Sequence, residues 1–156
     1  MTEPMKISEL TGGILDYWVA KATEEIHNLV IHNGRVAYEQ KFDPEIHCHD
    51  SCQDMMKCWT YYHPSSDWSQ FGPLIEKYRV ELNIGHTGNY SWLATIFDYQ
   101  TRDKNKLIIA KQRDMSPLVA ACRCIVASKY GDTVDDRTMY TIRQYQAFEW
   151  LNAARP

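Results

Sequence analysis

The run from Ser116 to Gly131 constrains this chain more than any other segment. Ser116 offers a capping oxygen, and Pro117 stands at the first helical position, where its missing N–H costs nothing. Gly131 is a natural stop. Between these ends, Leu118, Val119, Cys122, Ile125 and Val126 recur at helical spacing as a core face. Ala120, Ala121, Cys124 and Ala127 keep the remaining sides small and weakly polar. A helix of this kind can be covered on both faces, so the rest of the chain has to supply layers around it. With 156 residues, 44% of them hydrophobic, the chain can build one ordinary core, and we read residues 1–156 as a single domain.

The surrounding layers are legible in outline. Thr11 opens a helix in which Ile14, Leu15, Trp18, Val19 and Ala22 share a face. Leu29 to His32 and Arg35 to Tyr38 flank Asn33-Gly34, a pair suited to the positive backbone angles of a type I′ turn, which predicts a β-hairpin. The runs Tyr78 to Ile84, Tyr90 to Phe97 and Leu107 to Lys111 read as further antiparallel strands extending the sheet. Residues 41–63 show no clean period and read as an irregular excursion. Residues 137–152 place Met139, Ile142, Gln146 and Trp150 on one stripe and predict a tail helix, a place for self-association into a homo-oligomer. The expected class is α+β, a small antiparallel sheet packed by two main helices.

A net charge of -3 argues against direct nucleic-acid binding, which draws its free energy from Lys and Arg on phosphates. The N-terminus lacks the pattern of a secretory signal, and the longest apolar runs are far too short to span a bilayer, so a cytoplasmic protein without membrane association is expected. An odd count of 5 cysteines favours reduced thiols over a disulfide framework.

The chemistry-bearing stretch is Tyr61 to Ile75. Ser66, Asp67, Ser69 and Gln70 surround Trp68 with short hydrogen-bonding side chains, and Gly72-Pro73 leads into a predicted short helix at Pro73 to Lys77. A helix start offers unpaired N–H groups to an anion, and the ring of Trp68 or Tyr62 offers a stacking face, so the stretch suits a nucleotide-sized ligand. The plainer reading makes Asp67 and Ser66 caps and Trp68 core. Arg123, on an otherwise apolar helix, needs a partner: Asp67, Asp16 or Asp98 in a structural pair, or a ligand phosphate. His47, His49, Cys52, Cys58 and His63 are zinc-type ligands, but their spacing is not that of paired knuckles, so no metal and no cofactor is assigned. A nucleophile elbow, a triad and a P-loop are all missing, so no catalytic residue is assigned and the chain is read as a non-enzyme.

Three blocks, SELTGGILDYWVAKA at Ser8 to Ala22, YHPSSDWSQFGPLIEK at Tyr62 to Lys77 and SPLVAACRCIVASKYGDTVD at Ser116 to Asp135, resemble in order and spacing the NinX-like family of small proteins of tailed bacteriophages and prophages. The resemblance implies an accessory protein acting in the cytoplasm of an infected bacterium, and it brings no assigned activity. The excursion around residues 41–58 and the tail after Asp136 depart from the family pattern. Combined with the central stretch, this context leads to the expectation of a protein that binds and sequesters a nucleotide-derived signal of host defence. Trp68 and Trp92 would stack, Arg123 and the Gly72-Pro73 turn would hold phosphate, and Asp67 would accept from a ribose hydroxyl. Inhibition of a host factor, using the aromatic residues Tyr140, Tyr145, Phe148 and Trp150, and an enzyme acting on a nucleotide are the alternatives.

Overall fold

The computed structural model describes residues 3–26, 29–32, 35–39, 59–85, 91–99 and 107–135. The predicted tail helix over 137–152, its aromatic residues, most of the excursion, and His47, His49, Cys52 and Cys58 lie outside them.

The element order is β1 (Met5–Lys6), α1 (Gly12–Thr23), β2 (Leu29–His32), β3 (Arg35–Glu39), β4 (Trp59–Tyr61), α2 (Trp68–Tyr78), β5 (Glu81–Ile84), β6 (Trp92–Asp98), β7 (Leu107–Asp114), α3 (Pro117–Tyr130) and β8 (Thr133–Val134), with one 3-10 turn at Ile7–Glu9. The class is α+β. Helix α3 lies at the centre: Leu118 and every residue from Ala120 to Ala127 are buried, because α1 packs on one side of it and β6 and β7 on another. The Ser116 side chain accepts from the Val119 N–H, and Gly131 closes the helix at φ 83°, a backbone angle that favours glycine.

The two hairpin regions do not merge into one sheet. They form separate antiparallel sheets, β2-β3-β4 and β5-β6-β7, with β1 and β8 making a third, two-stranded one. Each hairpin finds a different helix to cover its apolar face, α1 against β3 and α3 against β6 and β7. Register His32↔Arg35 leaves Asn33-Gly34 as a two-residue link between β2 and β3. Two boundaries differ from expectation. Residues 59–61, placed in the irregular excursion, pair with β3 as β4, satisfying backbone groups that a loop would leave to water. Tyr78, read as the start of a strand, is the last residue of α2 instead.

Alternation sorts the β2-β3-β4 sheet into two faces. Leu29, Ile31, Val36 and Tyr38 join the core, and so does Tyr62, whose N–H donates to the Val36 carbonyl at 2.9 Å one residue beyond β4. The opposite face therefore carries Val30, His32, Arg35, Ala37 and Tyr61.

Candidate functional site

The central stretch folds as a corner joining β4 to α2. Asp67 is the N-cap of α2: its Oδ1 accepts from the Ser69 N–H at 2.8 Å and from the Ser69 hydroxyl at 2.7 Å. These two bonds hold its carboxyl below the usual range. Gln70 ties the helix back to the strand, its Oε1 accepting from the His63 N–H at 2.8 Å and its Nε2 donating to the Tyr61 carbonyl at 3.2 Å. The Ser66 N–H and hydroxyl both donate to the His63 carbonyl, at 3.1 and 3.3 Å. The His63 ring sits between Gln70 Nε2, 3.5 Å from its Nε2, and Asp67 Oδ2, 3.9 Å from its Nδ1. Trp68, first residue of α2, is 53% exposed. Its indole is thus an accessible aromatic surface at the start of a capped helix.

The corner is anchored from beneath by Asp16 of α1, only 4% exposed, whose Oδ1 accepts from the Ser65 N–H at 2.9 Å. Burial pushes the Asp16 carboxyl up to about 6, opposed by the Ser65 amide, the Ser65 hydroxyl and the field of His63. Asp16 was readable only as a generic acid, because its partner lies 49 residues along the chain.

Three expected ligand groups take different roles. Gly72 and Pro73 lie inside α2, not at a helix start, because Asp67 begins the helix five residues earlier than Gly72-Pro73 suggests. They cannot form an anion-facing turn, and the true N-terminus already holds the Asp67 carboxylate. Arg123 is 6% exposed. Its Nε donates to the Leu10 carbonyl at 2.9 Å, and its Nη1 donates to Asp114 Oδ2 at 2.7 Å and to the Arg113 carbonyl at 3.3 Å. The buried guanidinium is thus committed to protein acceptors, and its carboxylate partner is Asp114, not Asp67, Asp16 or Asp98. Trp92 packs against the core and stands opposite Asp114 in the β6–β7 ladder, so it joins Arg123 in a structural group apart from the Trp68 corner. The corner itself brings together Ser66, Asp67, Trp68, Ser69 and Gln70 with His63.

His63 alone among the expected zinc-type ligands falls within the described residues, and among those residues no group of three or more His, Cys, Asp or Glu side chains could hold a metal ion. No described helix is long and apolar enough to cross a membrane.

Sequence reading included Tyr61 in the central stretch but missed His32 and Arg35 as its neighbours. Tyr61 Oη lies 2.9 Å from His32 Nδ1, and the Arg35 guanidinium lies over the Tyr61 ring, 5.6 Å from its centroid. The signal was the period-2 alternation of the hairpin, which places His32 and Arg35 on one face; pairing with Tyr61 was hidden by the long connection from β3.

Residues 6–129 match the model of the family described as Bacteriophage P22, NinX. No curated protein is similar to the chain in sequence.

Proposed function

The chain belongs to the NinX family of bacteriophage proteins, and from that premise we propose that it binds and sequesters a small nucleotide-derived ligand, a signal of host defence, without turning it over. The observation that carries this reading is the exposed indole of Trp68 on a corner whose backbone is fixed by Asp67, Ser69 and Gln70. A flat ring in solvent gives a base a surface to stack on, worth about 1–3 kcal/mol per base in comparable sites. Asp67 Oδ2, the oxygen not used by Ser69, is the acceptor for a ribose hydroxyl. Asp67, with its carboxyl held low, stays ionised in this role.

The test is to purify the protein from bacteria mounting a phage response, denature it, and analyse the supernatant by mass spectrometry. Ligand added back should be returned chemically intact. Recovery of a converted product would make the protein an enzyme, and an empty supernatant would sink sequestration. A second reading, a protein that inhibits a host factor by surface contact, is favoured by one observation. Leu107, Ile108 and Ile109 are all at least 49% exposed on β7, which has no strand partner beyond β6 among the described residues. Apolar sheet edges of this kind pair with foreign chains. A host protein co-purifying in stoichiometric amount, and lost on Ile108→Lys, would favour it.

A further inference from the structure

We infer that β7 is a strand-addition edge for an extended acidic segment of a protein partner, whose apolar residues pair along Leu107 to Ile109 and whose acids meet Lys111 and Arg113. This goes beyond the sequestration reading. It rests on the host-factor reading of the same edge, to which it adds the chemistry of the partner's segment.

Strand register defines this edge. β6 has β5 on one side and β7 on the other, and among the described residues β7 has no second neighbour. Ala110 lies opposite Ile96, and both are buried in the core that α3 covers. The register then slips: Phe97 lies opposite Ile108, and Ile109 is the extra residue of a bulge. Residues opposite each other across a ladder share a side of the sheet, so Ile108 and Ile109 both turn away from α3, as Lys111 and Arg113 do by alternation. Leu107, Ile108 and Ile109 are 63, 50 and 49% exposed, and Lys111 and Arg113 are exposed too. Thr95, opposite Lys111 on β6, is only 5% exposed. The open part of the sheet is therefore its β7 edge and not its face.

An edge strand offers backbone N–H and C=O groups to a guest strand, and its side chains decide which guest is accepted. Arg123 Nη1 already donates to the Arg113 carbonyl, so the open ladder runs from Leu107 to Gln112. Three aliphatic side chains in succession leave water when apolar guest residues cover them. Beyond them, Lys111 and Arg113 pair with no carboxylate among the described residues. Acids at the same two-residue spacing on a guest strand would meet both cations. A bulge and cations on an edge keep stray strands away. Here they also set selectivity, because a basic guest is repelled and a wholly apolar one leaves the charges uncovered. A second copy of the chain fits poorly: two β7 strands, Leu107–Asp114, paired over their full length about a two-fold axis would set Ile108 of each against Arg113 of the other.

The test is fluorescence anisotropy of the full chain with a labelled peptide, Asp-Thr-Asp-Thr followed by three valines, the antiparallel order that the rest of this sheet uses. The same peptide with lysine at both aspartate positions runs beside it. Saturable binding of the aspartate peptide is expected, about tenfold weaker for the lysine peptide and about tenfold weaker in Ile108→Asn. Lys111→Glu should reverse the preference between the two peptides. Both side chains are exposed, so both variants should keep the wild-type thermal transition, and loss of binding cannot be ascribed to unfolding. Bound peptide should also slow amide hydrogen exchange within Leu107 to Gln112. No saturable binding, equal affinity for the two peptides, or an unchanged preference in Lys111→Glu would each overturn the acidic segment, as would a concentration-dependent dimer abolished by Ile108→Asn. A host protein retained by wild type and by Lys111→Glu but lost on Ile108→Lys would leave the host-factor reading standing and remove the acidic segment.

Discussion

The two regions built around Arg123 and around Arg35 use the same side chain in opposite ways. At the junction of β7 and α3, Arg123 is buried, and Leu10, Arg113 and Asp114 supply acceptors for its guanidinium. At the end of β3, Arg35 is exposed, and its described contact is the flat face of Tyr61. A buried cation has to be neutralised by the protein itself, so its chemistry is spent on the fold. An exposed cation that is stacked and, among the described residues, pairs with no carboxylate leaves its donors to solvent. The comparison teaches that burial of an arginine in an apolar helix points to architecture, and that a ligand site is better sought where a charge is organised without being satisfied.

The sharpest way to break this comparison is to remove Arg123. Arg123→Ala leaves the Asp114 carboxylate and the Leu10 carbonyl without their donor, which should cost about 4 kcal/mol of stability by urea denaturation. Ligand binding should survive in the molecules that remain folded. A variant that unfolds like wild type but no longer binds would return Arg123 to the site.

Asp16 gives the next largest effect, with the opposite sign. Its folded carboxyl titrates near 6 against an ordinary 3.8, so the folded state holds a proton that the unfolded state releases between those values. Stability attributable to Asp16 therefore falls as pH rises from about 4 through 6. Asp16→Asn keeps an acceptor for the Ser65 N–H and removes the buried charge; it should gain up to about 3 kcal/mol at pH 8 and little at pH 4. Asp67 runs the other way: its carboxyl is held low, so its contribution is present above the ordinary carboxylate range and is lost as pH falls below it. A flat stability difference between Asp16→Asn and wild type from pH 4 to 8 would show that burial in the fold does not raise the Asp16 carboxyl. A smaller effect tests the central helix: Ser116→Ala removes the acceptor of the Val119 N–H and should cost about 1 kcal/mol.

What the sequence disclosed follows from the range of the interactions involved. Helix α3, with Ser116, Pro117 and Gly131 at its ends, is encoded within sixteen consecutive residues, as is the β2–β3 hairpin around Asn33-Gly34. The capping of α2 by Asp67 was readable as the plain alternative, but Gly72-Pro73 is a strong local signal for a break and masked a helix that starts earlier. Pro73 removes one backbone donor inside the helix, while the Asp67 cap and the bonds from Gln70 to Tyr61 and His63 fix the turn before it. Pairing of Arg123 with Asp114 was missed because Asp114 precedes the helix and reaches it only after the chain turns at Ser116. The Asp16–Ser65 bond and the Tyr61–His32–Arg35 group depend on segments far apart in sequence, and no local period can reveal them.

Trp68→Ala is the smallest change for the fold and the largest for function. An exposed side chain contributes little to packing, so the thermal transition should stay within about 0.5 kcal/mol of wild type. The decisive measurement is the amount of intact nucleotide released per mole of denatured protein, wild type against Trp68→Ala, with both thermal transitions recorded. The account predicts an intact nucleotide from wild type and at least tenfold less from the variant at unchanged stability. Equal recovery from the two proteins, or no nucleotide from wild type, would contradict it.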